Sequence, residues 1–126
     1  MDGTTERGKI MPTGGNDIFD LSKEYSDKVD ELRKNRVKMS FYKYGSAAVN
    51  FGRGYVNALE TMQMCVDKYK ETQNKEYLLD AMNYLMFEFM YPQLPDVYFR
   101  ATDSGESAGI AGISIKEMEG YKNGER

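Results

Sequence analysis

The segment from Asn74 to Pro92, NKEYLLDAMNYLMFEFMYP, constrains the fold more than any other part of this chain. It is almost wholly apolar over a helical length, and a helix of that composition is covered by other elements around most of its circumference. At about 100° per residue, Glu76, Asp80 and Asn83 fall within roughly 60° of one another, so the helix carries one polar stripe. Burying a carboxylate beside an amide is costly unless each has a charged, hydrogen-bonded or metal partner. Asp80 is therefore the residue that needs a reason. Glu76 has one already, because the first turn of a helix favours a carboxylate, and Asn74 is a good N-cap. Pro92 and Pro95 stop the helix. Tyr77, Leu78, Ala81, Met82, Leu85, Met86 and Phe89 spread around it and make it the expected central element. Asp80 and Asn83 then either hydrogen-bond to tyrosine hydroxyls or to basic residues across a helix interface, or belong to a site.

Two further principal helices are expected. Ile18, Leu21, Tyr25, Val29 and Leu32 follow 3, 4, 4, 3 spacing, which predicts an amphipathic helix near 17–35. Val37 to Tyr44 either continues it or forms a separate turn, and Gly45 closes it as a C-cap. Tyr55, Leu59, Met62, Val66 and Tyr69 at 4, 3, 4, 3 spacing predict a second helix over 55–71, and the apolar segment is the third, over 75–91. A short helix over 115–120 starts at a capping box made by Ser114 and Glu117 and is expected to end by Gly120. The expectation is an all-α fold with a flexible segment 1–16, a helical core 17–91 and a C-terminal extension 92–126 packing on the core.

Composition removes several function classes. The 126 residues, 40% of them hydrophobic, are enough for one compact core. There is no histidine and one cysteine, Cys65. That excludes His-dependent nucleophilic triads, imidazole metal ligands, thiolate zinc cages and intrachain disulfides. Any catalysis rests on carboxylates with a hard cation, or on Lys, Tyr or Cys. No run approaches the 18 or so apolar residues of a membrane span, and the first residues lack an apolar signal core, so a cytoplasmic location and no membrane partner are expected.

The net charge of −3 is unevenly spread: Leu32 to Leu59 contains Arg33, Lys34, Arg36, Lys38, Lys43 and Arg53 and no Asp or Glu. A basic block of this kind attracts phosphate, RNA or an acidic protein surface, while the acidic remainder argues against tight nonspecific duplex binding. Within it, KYGSAAVNFGRGY (43–55) reads as a glycine-rich connection between helices, or as a weak phosphate loop that matches neither the Walker nor the dinucleotide pattern. Arg36, Lys38, Lys43 and Arg53 are the candidate phosphate- or partner-binding cations. Phe41, Tyr42 and Tyr44 beside them suit a docking surface or the seam of a homodimer. Glu60, Gln63 and Asp67 form a polar stripe that reads as the wet face of the second helix.

KYG (43–45), NFGRG (50–54), YVNALETMQ and EYLLDAMNYLMFEF together resemble the all-α MazG-type nucleoside triphosphate pyrophosphohydrolases and the related dATP/dGTP diphosphohydrolases. That resemblance, over roughly 33–91, implies a helical fold in which an ExxE helix faces an ExxD helix and four carboxylates hold Mg²⁺ against a nucleotide. Here the four positions fall on Glu60, Gln63, Tyr77 and Asp80, so half of the quartet is present. Glu60 and Asp80 would be the catalytic pair, and Glu60, Glu76 and Asp80 the metal ligands. YLLDAMNYLMFEFMYPQ and RATDSGESAG also resemble small phage and prophage proteins of Gram-positive bacteria. The incomplete quartet favours a phage-type accessory protein that works without a cofactor by binding a host protein, such as a component of antiviral defence, or by sequestering a nucleotide. The alternatives are a Mg²⁺-dependent pyrophosphohydrolase and an RNA-binding protein.

Overall fold

The computed structural model describes residues 18–122, and the segment expected over 1–16 lies outside them. Among the described residues there are six helices and no strand: α1 (Leu21–Glu24), α2 (Asp27–Tyr44), α3 (Ala47–Gly52), α4 (Ala58–Thr72), α5 (Glu76–Met90) and α6 (Ile115–Lys122). Contacts divide the chain into one unit spanning Ser22–Phe99 and another that includes the residues from Arg100 onward.

In the Ser22–Phe99 unit, α5 is the central element. It packs most extensively on α4, next on α2 and least on α3. The α4–α5 pair is a helical hairpin whose turn is closed by Gln73 in the left-handed region, φ 64°, with its N–H donating to the Tyr69 carbonyl at 2.6 Å. Asn74 then starts α5 by accepting from the Glu76 N–H at 3.0 Å. Asn57 caps α4 through the Glu60 N–H at 2.9 Å, so α4 begins at Ala58 rather than at residue 55.

The first predicted helix needs correction at both ends. Ser26 accepts from the Val29 N–H at 3.1 Å and starts α2 about ten residues later than the periodicity from Ile18 suggests. Asp27 and Asp30 in the first turn suit that start, and the Tyr25 hydroxyl donates to Asp30 at 2.6 Å across it. Nothing breaks the helix until Gly45, φ 96°, whose N–H donates to the Phe41 carbonyl. The glycine-rich connection likewise contains a helix. Ser46 caps α3 through the Val49 N–H, and α3 delivers Phe51 into the core.

That core is small. Phe51, Ala58 and Phe87 form its buried centre, with Val37, Ala47, Val56, Tyr84, Met86 and Tyr91 packed around them. Phe51 stacks on Phe87 with centroids 4.7 Å apart, and Tyr84 stands edge-on to both. Gln93 ties the end of α5 to the α3–α4 connection, its amide donating to the carbonyls of Phe51 at 2.9 Å and Val56 at 2.7 Å. Gln93→Ala removes a donor from both, the Phe51 carbonyl keeping the Gly54 N–H at 3.2 Å, and a loss of about 1–2 kcal/mol in a urea titration is expected.

In the other unit, Arg100 and Glu106 pair through two hydrogen bonds of 3.2 and 2.7 Å, and Glu106 also accepts from the Asp103 N–H. Those bonds hold the Glu106 carboxyl below its usual range, Arg100 first and the Asp103 amide second. The loop is thus built by its own side chains. Ser114 and Glu117 form the expected reciprocal capping box at 3.1 and 2.9 Å. The helix after it runs on to Lys122, past Gly120, because an isolated glycine weakens a helix without ending it.

Candidate binding site: an aromatic pocket beside a guanidinium-bridged stripe

The polar stripe of α5 is the seam on which α2 docks. Arg36 grips Asp80 through two hydrogen bonds, Nε to Oδ1 at 3.0 Å and Nη2 to Oδ2 at 2.9 Å, while its Nη1 reaches Glu76 at 2.9 Å. One turn along, Arg33 Nε donates to Asn83 Oδ1 at 3.1 Å, and Asn83 Nδ2 donates back to the Arg33 carbonyl at 3.1 Å. Arg33 meets Asn83 and Arg36 meets Asp80, so α2 runs antiparallel to α5. Asn83 is 4% exposed, and this reciprocal pair satisfies its amide. Hydrogen bonding to Asp80 holds the Arg36 guanidinium above its usual range, against the opposing effect of burial. Asp80 thus has the basic partner across a helix interface that its position calls for.

The three acidic residues named as metal ligands are not brought together. Glu60 is exposed in the first turn of α4, at the opposite end of the hairpin from Glu76 and Asp80. At about 1.5 Å rise per residue, its level lies about 12 Å along the hairpin from that of Asp80. A Mg²⁺ ion gathers its oxygens at about 2.1 Å, and here a guanidinium already lies between Glu76 and Asp80. Among the described residues no three His, Cys, Asp or Glu side chains group as a metal ion would require. Gln63 donates to Asp67 at 3.0 Å on the exposed face of α4, as a solvated stripe does. The residues present do not fit the three-carboxylate centre that the pyrophosphohydrolase resemblance implies.

Where α2, α3 and α5 meet there is instead a pocket of about 460 Å³. Its walls are chiefly aromatic, with Phe41, Tyr44, Phe51, Tyr84, Phe87 and Tyr91 contributing rings. Ser40, Ser46 and Asn50 supply polar groups, and among the described residues no charged one lines it. A second, more polar pocket of about 220 Å³ shares Val37, Ser40, Tyr44, Tyr84 and Phe87 with the first and adds Arg36, Lys43 and Asp80. The volume and lining of the larger one match the general character of ligand sites, apolar walls with a few placed polar groups.

The predicted interface residues divide. Phe41 and Tyr44 line the large pocket, both at least half exposed, whereas Tyr42 does not line it and sits tilted against Phe41 at 5.4 Å. Lys43 places its ammonium 5.1 Å from the centre of the Tyr44 ring, at the pocket's edge. Arg36 is engaged by two carboxylates rather than free for a phosphate. Lys38, Lys43 and Arg53 are exposed and make no ion pair among the described residues.

Tyr84 belongs to both pockets. Burial pushes its phenol up, and the charges of Cys65, Asp80 and Tyr44 add to this while Arg36 opposes them. Its hydroxyl therefore stays protonated through neutral pH and can donate. A phenol whose folded pKa is raised contributes stability below the unfolded value of about 10 and loses it as pH rises further, because the unfolded chain releases the proton first. The unfolding free energy should fall above pH about 10 and fall less in Tyr84→Phe, read from urea titrations across that range.

Sequence reasoning missed Tyr84, Phe87, Phe51, Tyr91 and Gln93 as determinants of this region. It also assigned Leu85 and Phe89 to the covered face, and these are 48% and 70% exposed. The signal was present: Asp80, Asn83, Tyr84 and Phe87 stand at i, i+3, i+4 and i+7, the template of a buried face, with two polar members disguising it.

Compared with known proteins, the chain matches no family model, no curated protein and no solved structure. The resemblances to MazG-type enzymes and to phage proteins rest on the quoted residues alone.

Proposed function

We propose that this protein acts by binding a partner protein through the aromatic pocket between α2, α3 and α5, and not by nucleotide chemistry. The observation that carries this is a division of labour on one face. The polar stripe of α5 is engaged by Arg36, which bridges Glu76 and Asp80, and by Arg33, which bonds Asn83, while Phe41 and Tyr44 of the basic block are left exposed around a concave pocket whose described lining is uncharged. Large aromatic side chains beside unpaired cations are the composition of interface anchors. The phage-protein resemblance supports a bacterial host protein as the partner, with inhibition of antiviral defence as the corresponding role.

The test is affinity capture from a bacterial host lysate with the wild type and with Ala48→Trp. Ala48 lines the pocket from an exposed position on α3, so an indole there fills the pocket without disturbing the core. A host protein retained by the wild type and lost in Ala48→Trp is expected, and a partner retained equally by both would refute the site. A second reading, sequestration of a nucleotide, is supported by the proximity of Lys43 to the aromatic walls. It predicts calorimetric binding of a nucleotide that Ala48→Trp abolishes.

A further inference from the structure

The chemistry of the pocket and of its surroundings defines a narrower partner class. This inference rests on the proposed binding role of the same pocket and names what enters it. Eleven of the pocket's lining residues come from Val37 to Val56, inside the stretch that holds six cations and no acid. Of those cations, Arg36 is matched by Asp80 and Glu76, and Arg33 is tied to Asn83. Lys34, Lys38, Lys43 and Arg53 make no ion pair among the described residues. Lys43 stands over Tyr44 at the edge, and Arg53 directly follows α3, whose Gly52 lies against the Tyr91 ring. Asp80, the acid of the smaller adjoining pocket, is held by Arg36 through two hydrogen bonds.

We infer that the pocket takes an acidic peptide segment of a partner protein, anchored by aromatic or branched aliphatic side chains and flanked by Asp or Glu. The apolar walls reward the anchor and the unpaired cations reward the flanks. A volume of about 460 Å³ leaves room around a single side chain, so two anchors on one turn of a partner helix fill it better than one. The lining also includes the Tyr84 phenol and the Asn50 side-chain amide, whose Nδ2 donates to the Tyr44 carbonyl at 3.0 Å.

The experiment is selection of a random peptide display library on the full-length protein. The most enriched sequence is then synthesised with a fluorophore and its affinity measured by anisotropy. The expected result is enrichment of Phe, Trp, Leu or Ile among Asp and Glu, with binding at least about tenfold weaker in Ala48→Trp. Lys43→Glu should also weaken it about tenfold, Lys70→Glu on α4 should not, and added salt should lower the affinity. Circular dichroism melts confirm that each variant is folded. Enriched peptides that lose binding in Ala48→Trp yet carry no acidic bias and ignore Lys43→Glu overturn the acidic partner and leave the pocket as a binding site. No peptide enriched on the wild type over Ala48→Trp overturns both.

Discussion

Phe87→Ala is expected to lower the unfolding free energy by about 3–5 kcal/mol, the largest effect of any single side-chain truncation among the described residues. Phe87 is buried, stacks on Phe51 and meets Tyr84 edge-on, so its removal deprives both neighbours of their main contact. The cost is high relative to the whole because, among the described residues, Phe51 is the only other large apolar side chain at the buried centre. Part of the void opens toward the aromatic pocket and admits water, which places the result nearer the lower end of that range. A domain with a marginal reserve of about 5–15 kcal/mol could lose a third or more of it. Urea titration followed by circular dichroism measures the effect, and Phe87→Leu should recover a good part of the loss.

The second large effect is at Asp80. Asp80→Ala is expected to cost about 2 kcal/mol, because it strips Arg36 of its bidentate partner at the α2–α5 seam and leaves only Glu76 to answer the guanidinium. The Arg36 and Asp80 side chains retain 32% and 21% exposure, so the value lies below that of a fully buried pair. Arg36→Met should destabilise less when Asp80 has already been replaced by Leu, since apolar groups of similar volume remove both charges together. A double-mutant cycle over these positions isolates the coupling, and a value near zero would remove the guanidinium bridge from the account.

Asp80 also shows how much of the fold could be read from the chain. Its position on an apolar helix demanded a partner, and the basic block was one of the two candidates. The all-helical class, the central place of α5, the Gly45 cap and the Ser114–Glu117 box were legible because each depends on local chemistry within a few residues. The interface between α2 and α5 was not. Its hydrogen bonds run from Arg33 to Asn83 and from Arg36 to Asp80, so charged side chains interrupt the apolar face that Val37 marks on α2, while the period from Ile18 to Tyr25 lies before the helix begins. The pocket was half legible. Phe41 and Tyr44 stood out beside cations, whereas its floor comes from Tyr84 and Phe87 of a distant segment, and α3 was hidden among glycines.

The metal-ligand expectation failed on geometry that no spacing rule reveals. Glu60 and Asp80 occupy matching motif positions, yet the antiparallel hairpin places them at different levels, and Arg36 arrives from a third helix to fill the acidic stripe. The same arrangement makes α5 a structural element whose carboxylates hold α2 in place.

The most direct test of that account is product formation from a panel of NTPs and dNTPs with Mg²⁺ or Mn²⁺, run on the wild type and on Asp80→Asn, with the stability of each measured alongside. No turnover by either protein and a lower unfolding free energy for Asp80→Asn are expected. Turnover by the wild type that vanishes in an equally stable Asp80→Asn would contradict it, and would make Asp80 a catalytic carboxylate.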